Sequence, residues 1–152
     1  MRHPLHPMLA HFPVACWSLA TIADLVSPRH GPPAWHFAGT LLWIGALVAV
    51  PTIFVGVVEL IQIPKEPASV RAGFMHMGLM LVAFMLYLVS LLLRMDQGHI
   101  IQPGIAARTI SVIGFVFLLV GGWLGGTLVY GFGAGGERKA SEPSVVESTA
   151  AP

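Results

Sequence analysis

Apolar residues along this chain come in four long runs separated by short polar or proline-rich stretches. The runs cover residues 8–26, 35–63, 74–93 and 110–130. A membrane-spanning helix needs roughly 20 apolar residues, with a range of about 17–25. Each run meets that length. The second exceeds it, which predicts tilt or extension beyond the hydrocarbon. Backbone N–H and C=O groups in lipid must be satisfied within their own segment, so each run is expected to be a helix. Short connections make neighbours antiparallel. The expected fold is an all-α membrane protein, an antiparallel four-transmembrane-helix bundle over residues 1–133. From 134 to 152 the chain turns to Ser, Glu, Ala and Pro without apolar periodicity, and reads as a disordered polar tail. No internal repeat stands out.

Proline and small residues refine the elements. Pro7 suits the first position of helix one, where a missing N–H costs nothing. Pro13 should bend that helix beside His11. Residues 27–33 read as a proline-rich turn. In helix two, Gly45 and Ala49, then Thr52 and Gly56, are small residues four apart, with Pro51 between the pairs. Helix three carries His76, Met80, Ala83, Tyr87 and Ser90 at three- and four-residue steps, which places them on one face. The opposite side is Leu, Val and Phe, so the His76 face is expected to point inward. Helix four ends with two overlapping GxxxG pairs, Gly121/Gly125 and Gly122/Gly126. Such pairs let backbones approach closely, within the bundle or across a homodimer.

Composition agrees with the pattern. Of 152 residues, 55% are hydrophobic and 10% charged, against about 25% charged in soluble domains. There is too little charge to coat a soluble globule, and the expected partner is a lipid bilayer. A net charge of +1 without a basic cluster argues against nucleic acid. The single Cys16 excludes an intrachain disulfide, and no CxxCH motif for covalent haem occurs. Arg2 before an apolar run resembles a signal peptide, but cleavage would discard the His-Pro cluster, so the first run is read as a retained helix. With four spans both termini share one side, with Arg2, Lys65, Arg71, Arg138 and Lys139. Arg29, Arg94 and Arg108 fall on the other. The positive-inside rule then favours cytoplasmic termini.

The candidate chemistry gathers at the terminus-side end. His6 and His11 open helix one, Glu59 closes helix two, Arg71 and His76 open helix three, and Tyr130 ends helix four. His11 and His76 should sit at similar depth. Ionisable groups in a span are rare and mark functional sites by default.

These features resemble a known family, the bacterial membrane domain of unknown function 2231. The resemblance rests on His6-Pro-x-x-x-His11-Phe-Pro13, on Arg71 with His76, and on Gly121-Gly-x-x-Gly-Gly126-x-Leu-Val-Tyr130-x-x-Gly133. It covers about residues 2–133. Glu59 departs from the pattern, which carries aspartate there. The resemblance implies four helices in a bacterial cell membrane. The family's occurrence beside redox modules implies electron transfer with a partner protein.

Three readings remain open from the residues. The first is b-type haem held by His11 and His76 between helices one and three, with Arg71 near the propionates, His6 as a supporting donor or alternative ligand, and Tyr130 at the site's edge. The second is a bare Zn, Cu or non-haem Fe ion on His6, His11, His76 and Glu59. Against it, His6 and His11 are five residues apart and point to different helix faces. The third is a cofactor-free anchor or assembly subunit, in which the histidines make structural hydrogen bonds. No nucleophile has a visible His–acid partner and no phosphate loop ends in Lys-Ser/Thr. An electron-transfer component is favoured over a stand-alone catalyst. The bland readings apply elsewhere: Met75, Met77, Met80 and Met85 as packing, Trp35, Trp43 and Trp123 as interface residues, Cys16 as a small hydrophobe.

Overall fold

The computed structural model describes residues 5–61 and 66–132. Among the described residues there are four helices, α1 Leu5–His30, α2 Pro32–Leu60, α3 Pro67–Leu92 and α4 Ile105–Phe132. All four are long and apolar enough to cross a membrane. At 1.5 Å per residue each is about 40 Å long, so the ends reach past a hydrocarbon core of about 30 Å.

The helices are longer than the apolar runs because their ends are set by backbone chemistry. Residues 27–30 continue α1, and the expected proline-rich turn shrinks to Gly31, whose φ of 66° reverses the chain. Pro32 and Pro33 then open α2, where they lose no helical hydrogen bond. Pro67 opens α3 in the same way, about two turns before the apolar run begins. Pro7, expected at the first position of α1, lies two residues further in than that, because α1 begins at Leu5. Between α3 and α4 lies a small antiparallel hairpin, β1 Met95–Asp96 and β2 His99–Ile100, which the hydrophobic pattern does not announce. Gln97 and Gly98 both have positive φ, as a two-residue hairpin turn requires.

The helices pack most extensively as two hairpins, α1 with α2 and α3 with α4. Large apolar side chains such as Phe12, Leu19, Leu47 and Phe54 face outward. The interior is smaller and more polar, with Ala20, Ala83, Ser90, Ser111 and Thr21 buried. That is the inside-out distribution of a bilayer protein, where close helix approach and internal hydrogen bonds hold spans together. At mid-depth Trp17 stacks on Tyr87, with ring centroids 4.9 Å apart. The Tyr87 hydroxyl is 2.9 Å from Thr21 Oγ1.

The two hairpins are repeats of one another. Exposure along residues 11–20 matches that along 81–90 position for position. Buried residues of α1 and α3 correspond at a shift of 70: Pro13 with Ala83, Trp17 with Tyr87, Ala20 with Ser90, Asp24 with Arg94. Those of α2 and α4 correspond at a shift of 69: Ala38 with Ala107, Leu42 with Ser111, Gly45 with Gly114, Thr52 with Gly121. Because α1 and α3 run the same way, the halves are related by a pseudo-two-fold axis along the membrane normal. The repeat is invisible in the sequence because few paired positions keep the same residue.

Candidate functional site

At the end of the bundle where α1 begins, two imidazoles meet across this axis. His6 on α1 and His76 on α3 are both half-buried, with ring centroids 6.2 Å apart and planes at 85°. They are pseudo-symmetry mates. His6 Nδ1 lies 3.0 Å from the carbonyl oxygen of Thr52, and His76 Nδ1 lies 2.7 Å from that of Gly121. Thr52 and Gly121 are themselves mates.

Glycine makes these contacts possible. Four residues beyond each accepting carbonyl stands Gly56 or Gly125. A Cβ on Gly56 would come within 2.8 Å of the His6 ring, and one on Gly125 within 2.8 Å of the His76 ring. The α4 glycines thus divide their work. Gly121 and Gly125 face Met80 and His76 on α3, while Gly122 and Gly126 would meet nothing within 4 Å.

The hydrogen bonds also decide the tautomer. A carbonyl oxygen can only accept, so each Nδ1 carries the hydrogen. In neutral imidazole Nε2 is then a bare lone pair. A ring held through Nδ1–H by a main-chain carbonyl is the usual arrangement of a metal-binding histidine, because it fixes orientation and raises ligand basicity.

Glu59 has a different task from ligation. Its Oε1 accepts from the backbone N–H groups of Leu5 and His6, each at 3.0 Å. These are among the first amides of α1, which have no partner within the helix. A carboxylate there also complements the positive end of the helix dipole. Glu59 thereby anchors the turn that carries His6.

Other expected site residues lie elsewhere. The structure brings His6, not His11, beside His76. His11 is exposed, and its Nδ1 bonds the carbonyl of Pro7 in its own helix. Five residues of helix separate the two side chains by more than a third of a turn, so only one faces the bundle. Arg71 is exposed, and Tyr130 is 91% exposed on the outside of α4. The four-ligand set of His6, His11, His76 and Glu59 is therefore not assembled. Among the described residues no three His, Cys, Asp or Glu side chains are grouped to hold an ion. Arg2, Lys65, Arg138, Lys139, Gly133 and the expected tail lie outside the described residues.

Sequence reading also misses the most buried charges. Asp24 and Arg94 are fully buried and paired through two bonds of 2.7 Å. Arg94 further donates to the Ser90 carbonyl and hydroxyl, and the Ser90 hydroxyl donates to the Ala107 carbonyl. Arg94 looks like a loop charge because it follows the third apolar run. The available signal is Asp24, a carboxylate inside an apolar helix, which demands a partner. Trp17, also unremarked in the sequence, lies at the centre. Its Nε1 has no partner and sits over Gly45, where a Cβ would come within 2.4 Å.

The family model described as "Predicted membrane protein (DUF2231)" matches residues 2–138. No curated protein and no solved structure matches the chain. Four membrane-length helices with this match over nearly the whole chain make the assignment plain: the chain belongs to the DUF2231 family of predicted membrane proteins.

Proposed function

We propose that this membrane protein binds b-type haem between His6 and His76 and acts in electron transfer with a redox partner protein. One observation carries the reading. Two symmetry-related imidazoles are each fixed by a main-chain carbonyl at Nδ1 and leave Nε2 free, at a separation of 6.2 Å. Two histidines with unbonded Nε2 atoms at one end of the bundle are the donor set that a bis-histidine haem would use.

The number of donors favours haem over a bare ion. Two histidines would suffice to hold haem iron, whereas zinc sites take three or four protein ligands. The pair also lies between the two hairpins, whose mutual packing is less extensive than that within each. Bound there, haem would supply one-electron chemistry at a potential set by two histidines and their burial. The chain's own part is to hold both rings in one tautomer, through Thr52 and Gly121, and to keep His6 in place through Glu59. His11 is not a ligand in this reading. The histidine end is assigned to the cytoplasmic face of a bacterial cell membrane. Arg94, counted on the opposite face by sequence, is neutralised by Asp24.

The test is a dithionite-reduced minus oxidised spectrum of the full-length protein from haem-replete cells, with metal analysis on the same sample. A Soret and an α band at near one iron per chain are expected. His6→Ala and His76→Ala should each lose most of the haem, and His11→Ala should keep it. A colourless, iron-free sample overturns the reading, as does full haem retention in His76→Ala.

A further inference from the structure

We propose that the groove between α1 and α4, at the end opposite the histidines, binds an anionic phospholipid, with an acyl chain in the groove and the phosphate on Arg108. The inference does not depend on the histidine pair.

The groove holds about 350 Å³. Leu25 and Pro28 on α1 and Ile105 and Val112 on α4 form its apolar walls, with Arg108 and Thr109 as polar lining. It lies between two helices of membrane-spanning length. Arg108 is about one turn into α4, at headgroup depth, and is half-buried. Among the described residues no acidic side chain pairs with it. Asp24 also lines the groove, but both its oxygens are bonded by Arg94, so that part presents a neutral pair. A cation beside an apolar groove at the membrane surface complements a lipid phosphate.

The pseudo-symmetry supplies a second, independent argument. The counterpart of Arg108 on α2 is Gly39. There the chain provides its own aliphatic occupant. Ile100 of the β-hairpin lies so close that a Cβ on Gly39 would come 2.6 Å from its Cγ2. The α3–α4 connection is long enough to place that side chain on α2. The α1–α2 connection is Gly31 alone and cannot supply an equivalent to α4. One groove is therefore filled from within. The other keeps its space and has arginine where its mate has glycine.

The experiment titrates full-length protein in mild detergent with phosphatidylglycerol, with phosphatidylcholine of the same chains, and with inorganic phosphate. Bound lipid is read by native mass spectrometry and stability by Tm. Phosphatidylglycerol is expected to bind about tenfold or more tighter than phosphatidylcholine, whose choline cation offsets the phosphate charge and is repelled by Arg108. Arg108→Gln should abolish that preference. Val112→Trp should fill the groove and weaken both lipids, while Arg29→Gln, an exposed charge near the same end, should leave the preference intact. Equal binding of the two lipids, an unchanged preference in Arg108→Gln, or full lipid binding in Val112→Trp overturns the proposal. Stabilisation by inorganic phosphate equal to that by phosphatidylglycerol overturns the lipid assignment. Should Arg108→Gln fail to fold, the preference of the unaltered protein decides the headgroup and Val112→Trp decides the groove.

Discussion

The two ends of the pseudo-two-fold axis have opposite characters. At one end the mates are identical, His6 and His76. At the other they are complementary, Asp24 and Arg94. Both pairs cross between the hairpins. Asp24 and Arg94 satisfy each other completely, with two bonds of 2.7 Å and no exposed surface. His6 and His76 do not satisfy each other. Each is satisfied at Nδ1 by a helix carbonyl, and each keeps an Nε2 lone pair. A repeat that diverges to acid and base closes on itself and serves structure. A repeat that keeps histidine on both sides leaves the second ring nitrogen of each outside these hydrogen bonds.

The largest effect should come from unbalancing the closed end. Asp24→Ala leaves a guanidinium buried without its counter-charge, and loss of about 3–5 kcal/mol of stability is expected. Denaturation in detergent would show it. The double variant Asp24→Leu with Arg94→Met should recover most of that loss, since a buried ion pair often contributes little over an apolar pair. If the single variant unfolds at the wild-type midpoint, the pair is not the lock that its burial suggests.

A smaller effect tests whether the histidine end is symmetric. Gly56→Ala and Gly125→Ala each drive a methyl into an imidazole. Each should cost about 1–3 kcal/mol and displace the ring from its carbonyl. Gly126→Ala meets no neighbour within 4 Å. It should be neutral or stabilise by up to about 1 kcal/mol through helix propensity. Thermal unfolding of the three variants side by side gives the comparison, and equal shifts would remove the cradle argument.

The smallest effect concerns what the halves do not share. The counterpart of Glu59 on α4 is Leu128, so α4 has an apolar residue at the position where α2 carries the carboxylate that caps α1. Glu59→Ala should cost about 0.5–2 kcal/mol, the range of a lost helix cap. Hydrogen exchange should quicken at the start of α1 and stay unchanged in α3.

Parts of this site were legible from residue spacing. The step pattern of His76, Met80, Ala83, Tyr87 and Ser90 identifies the inner face of α3, and the structure buries Ala83, Tyr87 and Ser90. Gly45, Ala49 and Thr52, marked as small residues on α2, are buried as well. The choice between His6 and His11 was not legible. It depends on how α1 is rotated against α2, and that is set by Gly56 and the Thr52 carbonyl, some fifty residues away. The burial of Arg94 was not legible for the same reason, because its partner is 70 residues earlier.

Helix number and a span-long minimum length follow from composition and run length alone, because a bilayer imposes one dimension and one hydrogen-bonding rule on every span. The repeat, the tautomers and the partner of each buried charge were decided by tertiary packing. Those depend on which side chains meet across the axis, and apolar periodicity is silent about partners.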